Sequence, residues 1–310
     1  MKIKTIRLRL SALCIIVAAL VLWGYCQDEQ NIPVRPLKVA DDLYWAGDFE
    51  CNVAALVGPD GVLIVDSGGE EVTDKVRSAL LQVSKEPVRI IMNTHFHFDH
   101  VGGNEAFARG GALVISQEKA RERMTVEWRP REILGVRWPN LPPYSTPALA
   151  KVCYAESLTV HFNGEEIEAL HLPAAHSDGD AVIRFKRANV VHTGDLYLSN
   201  GFPVIDIDTG GTIGGYLAGV DKIINLCDDK TVVIPGHGAV SDREGLRSYR
   251  DMLTTARDRI AKLIKGGKTL EQIVAADVTA GLFKGGESWL EAKLYVYCVY
   301  MDLTREGNIR

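Results

Sequence analysis

The sequence predicts an α/β fold in which two β-sheets are sandwiched by helices in a single domain. Three observations predict it. Short apolar runs of strand character come in two batches, stretches of helical spacing close each batch, and the residues able to bind metal fall just past strand ends. Of the 310 residues, 46% are hydrophobic and 24% charged, enough to bury a core and too apolar for disorder. Twelve prolines and 29 glycines exclude a collagen-like or low-complexity chain. The net charge is −5, and Lys2, Lys4, Arg7 and Arg9 crowd the first eleven residues. Removing these four from the 35 basic residues leaves 31 against 40 acidic ones, a body charge of −9. That balance argues against a nucleic-acid partner.

Residues 1–26 read as a signal peptide or N-terminal anchor. A basic stretch, MKIKTIRLRLS, precedes the apolar run ALCIIVAALVLWGY and the polar QDEQN. Fourteen apolar residues fall short of the roughly twenty that span a bilayer, and a charged start with a short apolar run is the secretory pattern. Trp23-Gly24-Tyr25 before Cys26 is too bulky for a lipoprotein signal, and no Ala-x-Ala cleavage site is present, so an uncleaved anchor stays open. The expected location is periplasmic or secreted, with membrane contact only through this segment. Cys51, Cys153, Cys227 and Cys298 form no CxxC pair and could be disulfides or buried thiols.

The body, 27–265, opens with strand signals at Leu43–Trp45, Val53–Val57 and Val62–Val65, the last two joined by a Gly58-Pro-Asp-Gly61 turn. Val72, Val76, Ala79, Leu80 and Val83 have helical spacing, and Val88–Met92 reads as a buried strand. A helix at 104–108 and a strand at 112–115 follow. Residues 125–150, with Trp128, Trp138 and five prolines, read as a long loop or lid. Strands are predicted at 157–162, 167–172, 181–186, 189–193 and 231–234, and helices at 213–227 and 242–265. Residues 266–310 form a C-terminal helical extension, with helices at 269–281 and 286–304, the last apolar enough to pack on the body.

Three of the eight histidines lie in Thr94-His95-Phe96-His97-Phe98-Asp99-His100. On extended chain His95 and His97 share a face, Asp99 continues it, and the turn re-aims His100. Gly102-Gly103 then lets the backbone pass close. Imidazole and carboxylate suit zinc, and iron or manganese as alternatives. His176 in Leu172-Pro-Ala-Ala-His176, Asp195 in Val191-His-Thr-Gly-Asp195, and His237 in Pro235-Gly-His237-Gly each follow a predicted strand, where α/β folds place their sites.

In this order, HFHFDH, His176, Gly-Asp195 and Pro-Gly-His-Gly resemble the metallo-β-lactamase superfamily of zinc hydrolases over about residues 39–265. The resemblance implies a four-layer αββα sandwich, here with extra C-terminal helices, and two zinc ions per chain. His95, His97 and His176 would hold the first. Asp99, His100 and His237 would hold the second, with Asp195 bridging both. Asp66 matches a position that orients a ligand histidine by hydrogen bond. The implied chemistry is attack by a metal-bridging hydroxide on an ester, thioester, lactone or lactam carbonyl of a small-molecule substrate, with Asp99 and Asp195 orienting the nucleophile. No GxSxG elbow offers a serine route.

The ligand set separates branches of that family. Class B β-lactamases usually carry Cys or Ser where Asp195 stands, and the lysine that binds the lactam carboxylate is missing from Leu196–Asn200. An Asp there resembles glyoxalase II, lactonases and ribonuclease Z-like phosphodiesterases. A class B-like β-lactamase and a mononuclear iron, persulfide dioxygenase-like oxidoreductase are the alternatives. Metal stoichiometry separates the dizinc from the single-iron reading. Tyr197 and Trp45 are candidate substrate contacts, as are Trp128, Trp138 and Phe202. His192 could line the pocket. The oligomeric state is open.

Overall fold

The computed structural model describes residues 34–283 and 289–305. The segment 1–26, expected to direct export, lies outside them. Among the described residues no helix is long and apolar enough to cross a membrane.

Seven strands build the first sheet in chain order: β1 (Leu37–Ala40), β2 (Leu43–Phe49), β3 (Cys51–Gly58), β4 (Gly61–Val65), β5 (Val88–Met92), β6 (Leu113–Gln117) and β7 (Val152–Tyr154). β1 to β4 pair antiparallel, and β4 to β7 run parallel. The parallel steps need crossovers. Helix α1 (Thr73–Val83) supplies the first, and α2 (Phe98–Val101) with α3 (Asn104–Arg109) the second. Helix α4 (Glu118–Met124) and the 125–150 loop make the third. The second sheet runs β13-β12-β11-β10-β9-β8, from β8 (Ser157–Phe162), β9 (Glu165–His171), β10 (Ala181–Phe185), β11 (Val190–His192), β12 (Val232–Ile234) and β13 (Ser241–Asp242). Only β11 and β12 pair parallel, with α5 (Ile213–Leu226) between them in sequence.

Both sheets contribute to one core. Leu56, Leu63, Val65 and Met92 from the first pack with Ile167, Ile183, Phe185 and Ile234 from the second. β9 shows the period that requires this, its residues alternating buried and half-buried from Glu165 to His171. The outer face of the second sheet is covered by α5, α6 (Arg243–Lys265) and α8 (Trp289–Thr304), with α7 (Leu270–Ala275) between the last two. α6 buries Leu246, Tyr249, Leu253, Ala256 and Ile260, the i, i+3, i+4 stripe of an amphipathic helix. It starts where Asp242 accepts from the Gly245 amide at 2.8 Å. From the C-terminal extension, Tyr295, Val296 and Val299 enter the same cluster as α5 and α6.

Several expectations change. The helix expected over 269–281 stops after Ala275, and Asp277 takes a left-handed backbone (φ 47°) that no helix continues. β1, α2, α4, β7 and β13 were not anticipated, all too short to show a period. The 125–150 segment is a loop whose ends pair, Trp128 with Leu141 and Ile133 with Val136, before a short turn at 146–148. Cys51, Cys153, Cys227 and Cys298 are free thiols, buried except Cys153.

Candidate metal centre

The ends of β5, β9, β11 and β12 lie along one edge of the sandwich, and the expected ligands converge there. β5 delivers Thr94, His95 and His97. The extended chain ends at His97, which caps α2, so Asp99 and His100 sit side by side on a helical turn and not on the face His95 shares with His97. The β9–β10 connection carries His176, the turn after β11 carries Asp195, and the loop after β12 carries His237.

The imidazole tautomers follow from the partner of each outer nitrogen. His97 donates from Nε2 to Asp206 Oδ2 at 3.0 Å. His176 donates from Nδ1 to the Val204 carbonyl at 2.8 Å. His100 donates from Nδ1 to Asp66 Oδ2 at 2.8 Å. Thr94 Oγ1 gives its proton to Asp66 Oδ2 at 2.7 Å, so it accepts from His95 Nδ1 at 3.1 Å. Every one of these bonds turns an unprotonated nitrogen inward.

Three such lone pairs face one another. His97 Nδ1 is 3.1 Å from His95 Nε2 and 2.9 Å from His176 Nε2. Asp195 Oδ2 lies 4.0 and 3.7 Å from the last two nitrogens. Beside them His100 Nε2 stands 3.1 Å from Asp195 Oδ1 and 3.4 Å from Asp99 Oδ2, and His237 Nε2 stands 3.2 and 3.3 Å from the same two oxygens. Tetrahedral ligation at about 2.0 Å separates donor atoms by roughly 3.3 Å, so the spacing fits a cation in each group. His100 Nε2 and Asp195 Oδ1 are buried with no hydrogen-bond partner. Buried acceptors turned on one another are costly unless a proton or metal lies between them. The donor set therefore fits metal in two adjoining groups, His95, His97, His176 and Asp195 in one and Asp99, His100 and His237, against Asp195 Oδ1, in the other.

Protons show the same strain. Burial opposes a charge on His237, but the Asp195 and Asp99 carboxylates outweigh it and hold its pKa up at about 10. Burial lowers His176 to about 4, helped by His97. For Asp195 burial works against ionisation, yet His237 and His100 keep it well below the usual carboxylate range. The buried Cys51 thiol also lies within ligand range of the Asp66–His100 pair, but desolvation pushes its pKa to about 12. It stays a neutral thiol behind the site.

Asp66, in the left-handed region at φ 61°, accepts from the Thr94 amide and hydroxyl and from His100. It thus orients two ligand histidines, one directly and one through Thr94. Asp206 fixes His97 in the same way and was not singled out in the sequence. Nothing local marks it among the apolar and acidic residues of 201–210, and only the fold brings it to His97.

A cavity of about 270 Å³ opens over the cluster. Trp128, Ile133 and Trp138 of the long loop face Leu198, Val204 and Ile207 across it. The Trp128 ring lies 5.5 Å from that of His97. Arg131, the one arginine or lysine among the lining residues, is already paired with Asp208. Phe202 backs the cavity and stacks on Tyr295 with ring centres 5.1 Å apart. The other two candidate contacts are corrected. Tyr197 leaves the Asp195 turn toward the core, where its hydroxyl meets Ser241 Oγ at 2.9 Å and its ring meets Tyr249. Trp45 sits in mid-strand β2 against the inter-sheet core, away from the strand ends that build the site. His192 is buried behind the site, bonded to the Asn52 carbonyl and the Gly194 amide, and does not reach the cavity.

The model of the metallo-beta-lactamase superfamily matches residues 46–258, more than half of the chain. The chain belongs to the metallo-beta-lactamase superfamily. Among its superfamily relatives, a linear primary-alkylsulfatase of a Pseudomonas species is 25% identical over 70% of this chain and 48% of its own length. A beta-lactamase-like protein 2 homolog of Drosophila melanogaster is 22% identical over 80% of both chains. Among solved structures, the inverting sec-alkylsulfatase Pisa1 from Pseudomonas superposes with a TM-score of 0.65 at 17% identity, over 88% of this chain and 51% of that one. A metallo-beta-lactamase from Pontibacter korlensis superposes at 0.56 and 18% identity, over 71% and 99%. The chain spans about half the length of these alkylsulfatases.

Proposed function

We propose that this superfamily member is an exported dizinc hydrolase that cleaves a neutral ester, thioester or lactone bearing an apolar arm. One observation carries the reading: two groups of inward-turned donors share Asp195, and two of those donors are buried without a partner. Bound there, two zinc ions would supply Lewis acidity and a water acidified to near neutral pH. The protein does the rest. Asp66, Thr94, Asp206 and the Val204 carbonyl hold four imidazoles in their ligating tautomers. Asp99 and Asp195, at 17% and 11% side-chain exposure, border the cavity and are placed to orient the attacking water and take its proton. Trp128 and Trp138 exclude solvent and pack on the apolar arm.

The cavity wall bears on the charge of the substrate. Its only guanidinium is neutralised by Asp208, so no free Arg or Lys among the lining residues awaits a carboxylate. That disfavours a β-lactam and favours a neutral ester. A second reading, a sulfate ester of an alkyl chain, whose negative charge the metal ions and not a side-chain cation would have to hold, is supported by the likeness to alkylsulfatases in both sequence and fold and by the apolar lining. Export rests on the character of residues 1–26.

The test is a chain without residues 1–26, loaded with zinc and assayed with acyl esters, lactones, thioesters, linear alkyl sulfates and a chromogenic cephalosporin, with and without chelator. The proposal expects chelator-sensitive turnover, fastest on neutral substrates with longer apolar arms, at kcat/KM above about 10⁴ M⁻¹s⁻¹. Faster turnover of alkyl sulfates would establish the second reading. Faster turnover of the cephalosporin, or about one iron per chain in protein purified without added metal, would overturn both.

A further inference from the structure

Four of the five histidines of the cluster are oriented through their outer ring nitrogen, and the fifth is not. His95, His97, His100 and His176 donate to Thr94, Asp206, Asp66 and the Val204 carbonyl. Among the described residues no hydrogen bond reaches His237 Nδ1, and at 22% its side chain is the most exposed of the five. It lies outside the strands, between β12, which ends at Ile234, and β13, which begins at Ser241, and its backbone makes a single β-bridge to Leu198.

The backbone on either side of His237 is gripped from the other sheet. Asn52, in β3 and only 3% exposed, donates from Nδ2 to the Pro235 carbonyl at 2.8 Å and to the Gly238 carbonyl at 2.8 Å. Its own amide donates to the Gly236 carbonyl at 2.8 Å, and its carbonyl accepts from His192 Nε2 at 3.2 Å. Two amide protons of one side chain thus straddle His237, reaching the carbonyl two residues before it and the carbonyl directly after it. The glycines of that loop are required for this approach. A Cβ on Gly236 would lie 2.1 Å from Asp195 Oδ1, and Gly238 has φ +90°. On the far side the loop touches the chain after Asp195, where the Ser199 amide donates to the His237 carbonyl at 3.0 Å.

We infer that Asn52 is the positioning residue of the second metal: it sets His237 through the backbone, in place of the hydrogen bond that orients each of the other four rings. The inference rests on the dizinc reading above. It makes the second group of donors depend on a residue of the first sheet that touches neither metal nor substrate. Residues that orient ligands typically change metal affinity by about 10- to 100-fold when removed, and the effect falls on one ion of the two.

The experiment measures both zinc affinities by competition with a chromogenic chelator for wild type, Asn52→Ala, Asn52→Asp, His237→Ala and Asn52→Ala/His237→Ala. Asn52→Asp keeps the shape but turns carboxylate oxygen toward two carbonyls, and it carries the test if Asn52→Ala does not fold. Asn163→Gly is the control. That side chain also links turns of the two sheets, by bonds to the Asp60 amide and the Gly61 carbonyl, at the opposite ends of β4 and β9 from the cluster and at a φ of 51° that glycine accepts. Expected are a loss of at least tenfold for one zinc in each Asn52 variant, little change for the other, no further loss when Asn52→Ala is added to His237→Ala, and wild-type affinities in Asn163→Gly. Two wild-type affinities in the Asn52 variants would overturn the inference and leave the dizinc reading intact. So would additive losses in the double variant, or equal losses in Asn163→Gly. Fewer than two zinc ions on the wild-type protein would overturn both.

Discussion

Replacing Asp66 by Asn separates the role of its charge from that of its shape. The carboxylate is fully buried and receives three donors, the Thr94 amide at 2.8 Å, the Thr94 hydroxyl at 2.7 Å and His100 Nδ1 at 2.8 Å. Asn fits the left-handed backbone of this position better than any other non-glycine residue except Asp. If its oxygen keeps the Thr94 amide, its NH2 group faces His100. In the metal-free protein His100 can switch tautomer, accept from that NH2 and donate from Nε2 to Asp195 Oδ1, which removes both unpartnered atoms of the cluster. Metal-free stability should therefore stay within about 1 kcal/mol of wild type. To bind the second metal His100 must return its proton to Nδ1, setting donor against donor in a buried site at a cost of about 1–3 kcal/mol. At 1.4 kcal/mol per decade, that weakens the zinc held by His100 by roughly 5- to 150-fold, and because the Thr94 hydroxyl loses the same acceptor oxygen, part of the loss passes through His95 to the other zinc. Asp66→Ala instead strands three buried donors and should destabilise the metal-free protein by at least about 3 kcal/mol. Chelator competition and urea unfolding, with and without zinc, read the two quantities separately. An Asp66→Asn protein that binds both zinc ions like wild type would refute the tautomer argument.

Asp206→Asn should weaken zinc at the first group about tenfold, since His97 loses a charged acceptor, whereas Asp206→Ala should also lose about 1 kcal/mol of stability because Oδ1 caps the amides of Asp208 and Thr209; chelator competition and urea unfolding separate the two, and equal zinc affinities would contradict the assignment. Burial lowers the His192 pKa to about 4, against about 6.5 in the unfolded chain. The unfolded chain then binds the extra proton between these values, so this group's contribution is complete above pH 6.5 and lost as pH falls toward 4, by up to about 3 kcal/mol. Urea midpoints of wild type and His192→Gln at pH 7.5 and 4.5 should show a smaller pH difference in the variant, and equal differences would refute the assignment. Trp128→Ala should raise KM by roughly 5- to 30-fold for substrates with long apolar arms, a loss of about 1–2 kcal/mol of buried contact, and leave short-armed substrates nearly unchanged; a series of acyl chain lengths gives the readout.

What the sequence made legible is what local chemistry specifies. Val62–Val65 carries a continuous apolar run because both faces are covered, Val88–Met92 is buried at its Ile91–Met92 end, and the site residues follow these ends closely, so strand ends and candidate ligands could be read together. The roles of Asp206 and Asn52 were not legible, since each acts on a partner more than 100 residues away, His97 and the Pro235–Gly238 loop. Tyr197 failed as a substrate contact for the converse reason. It is two residues from Asp195 in the chain, but the tight turn at Gly194–Leu196 points the two side chains in different directions, one into the cluster and one toward Ser241. Trp45 failed because a strand aromatic has no mark that tells core from cavity, and mid-strand β2 is core.

The division of ligands between the sheets has an energetic consequence. The first sheet delivers His95, His97, Asp99 and His100 from the end of β5, and the second delivers His176, Asp195 and His237 from the ends of β9, β11 and β12. Each proposed ion would therefore take ligands from both sheets, and neither sheet holds a complete set. Metal binding and the docking of the two sheets are then the same equilibrium, since an ion that binds only the assembled site stabilises it by RT ln(1 + [L]/Kd), about 4 kcal/mol at a thousandfold excess over Kd. Without metal, the inward-turned lone pairs and the two carboxylates act in the opposite direction, and protons on His237 relieve them only in part. The polar residues that cross the seam, Asn52 to the His237 loop and Asp206 to His97, keep the half-sites in register before an ion arrives. On this argument the strain in the metal-free cluster and the affinity of the site have one cause: donors fixed at ligand spacing by partners that cannot follow them if they move apart.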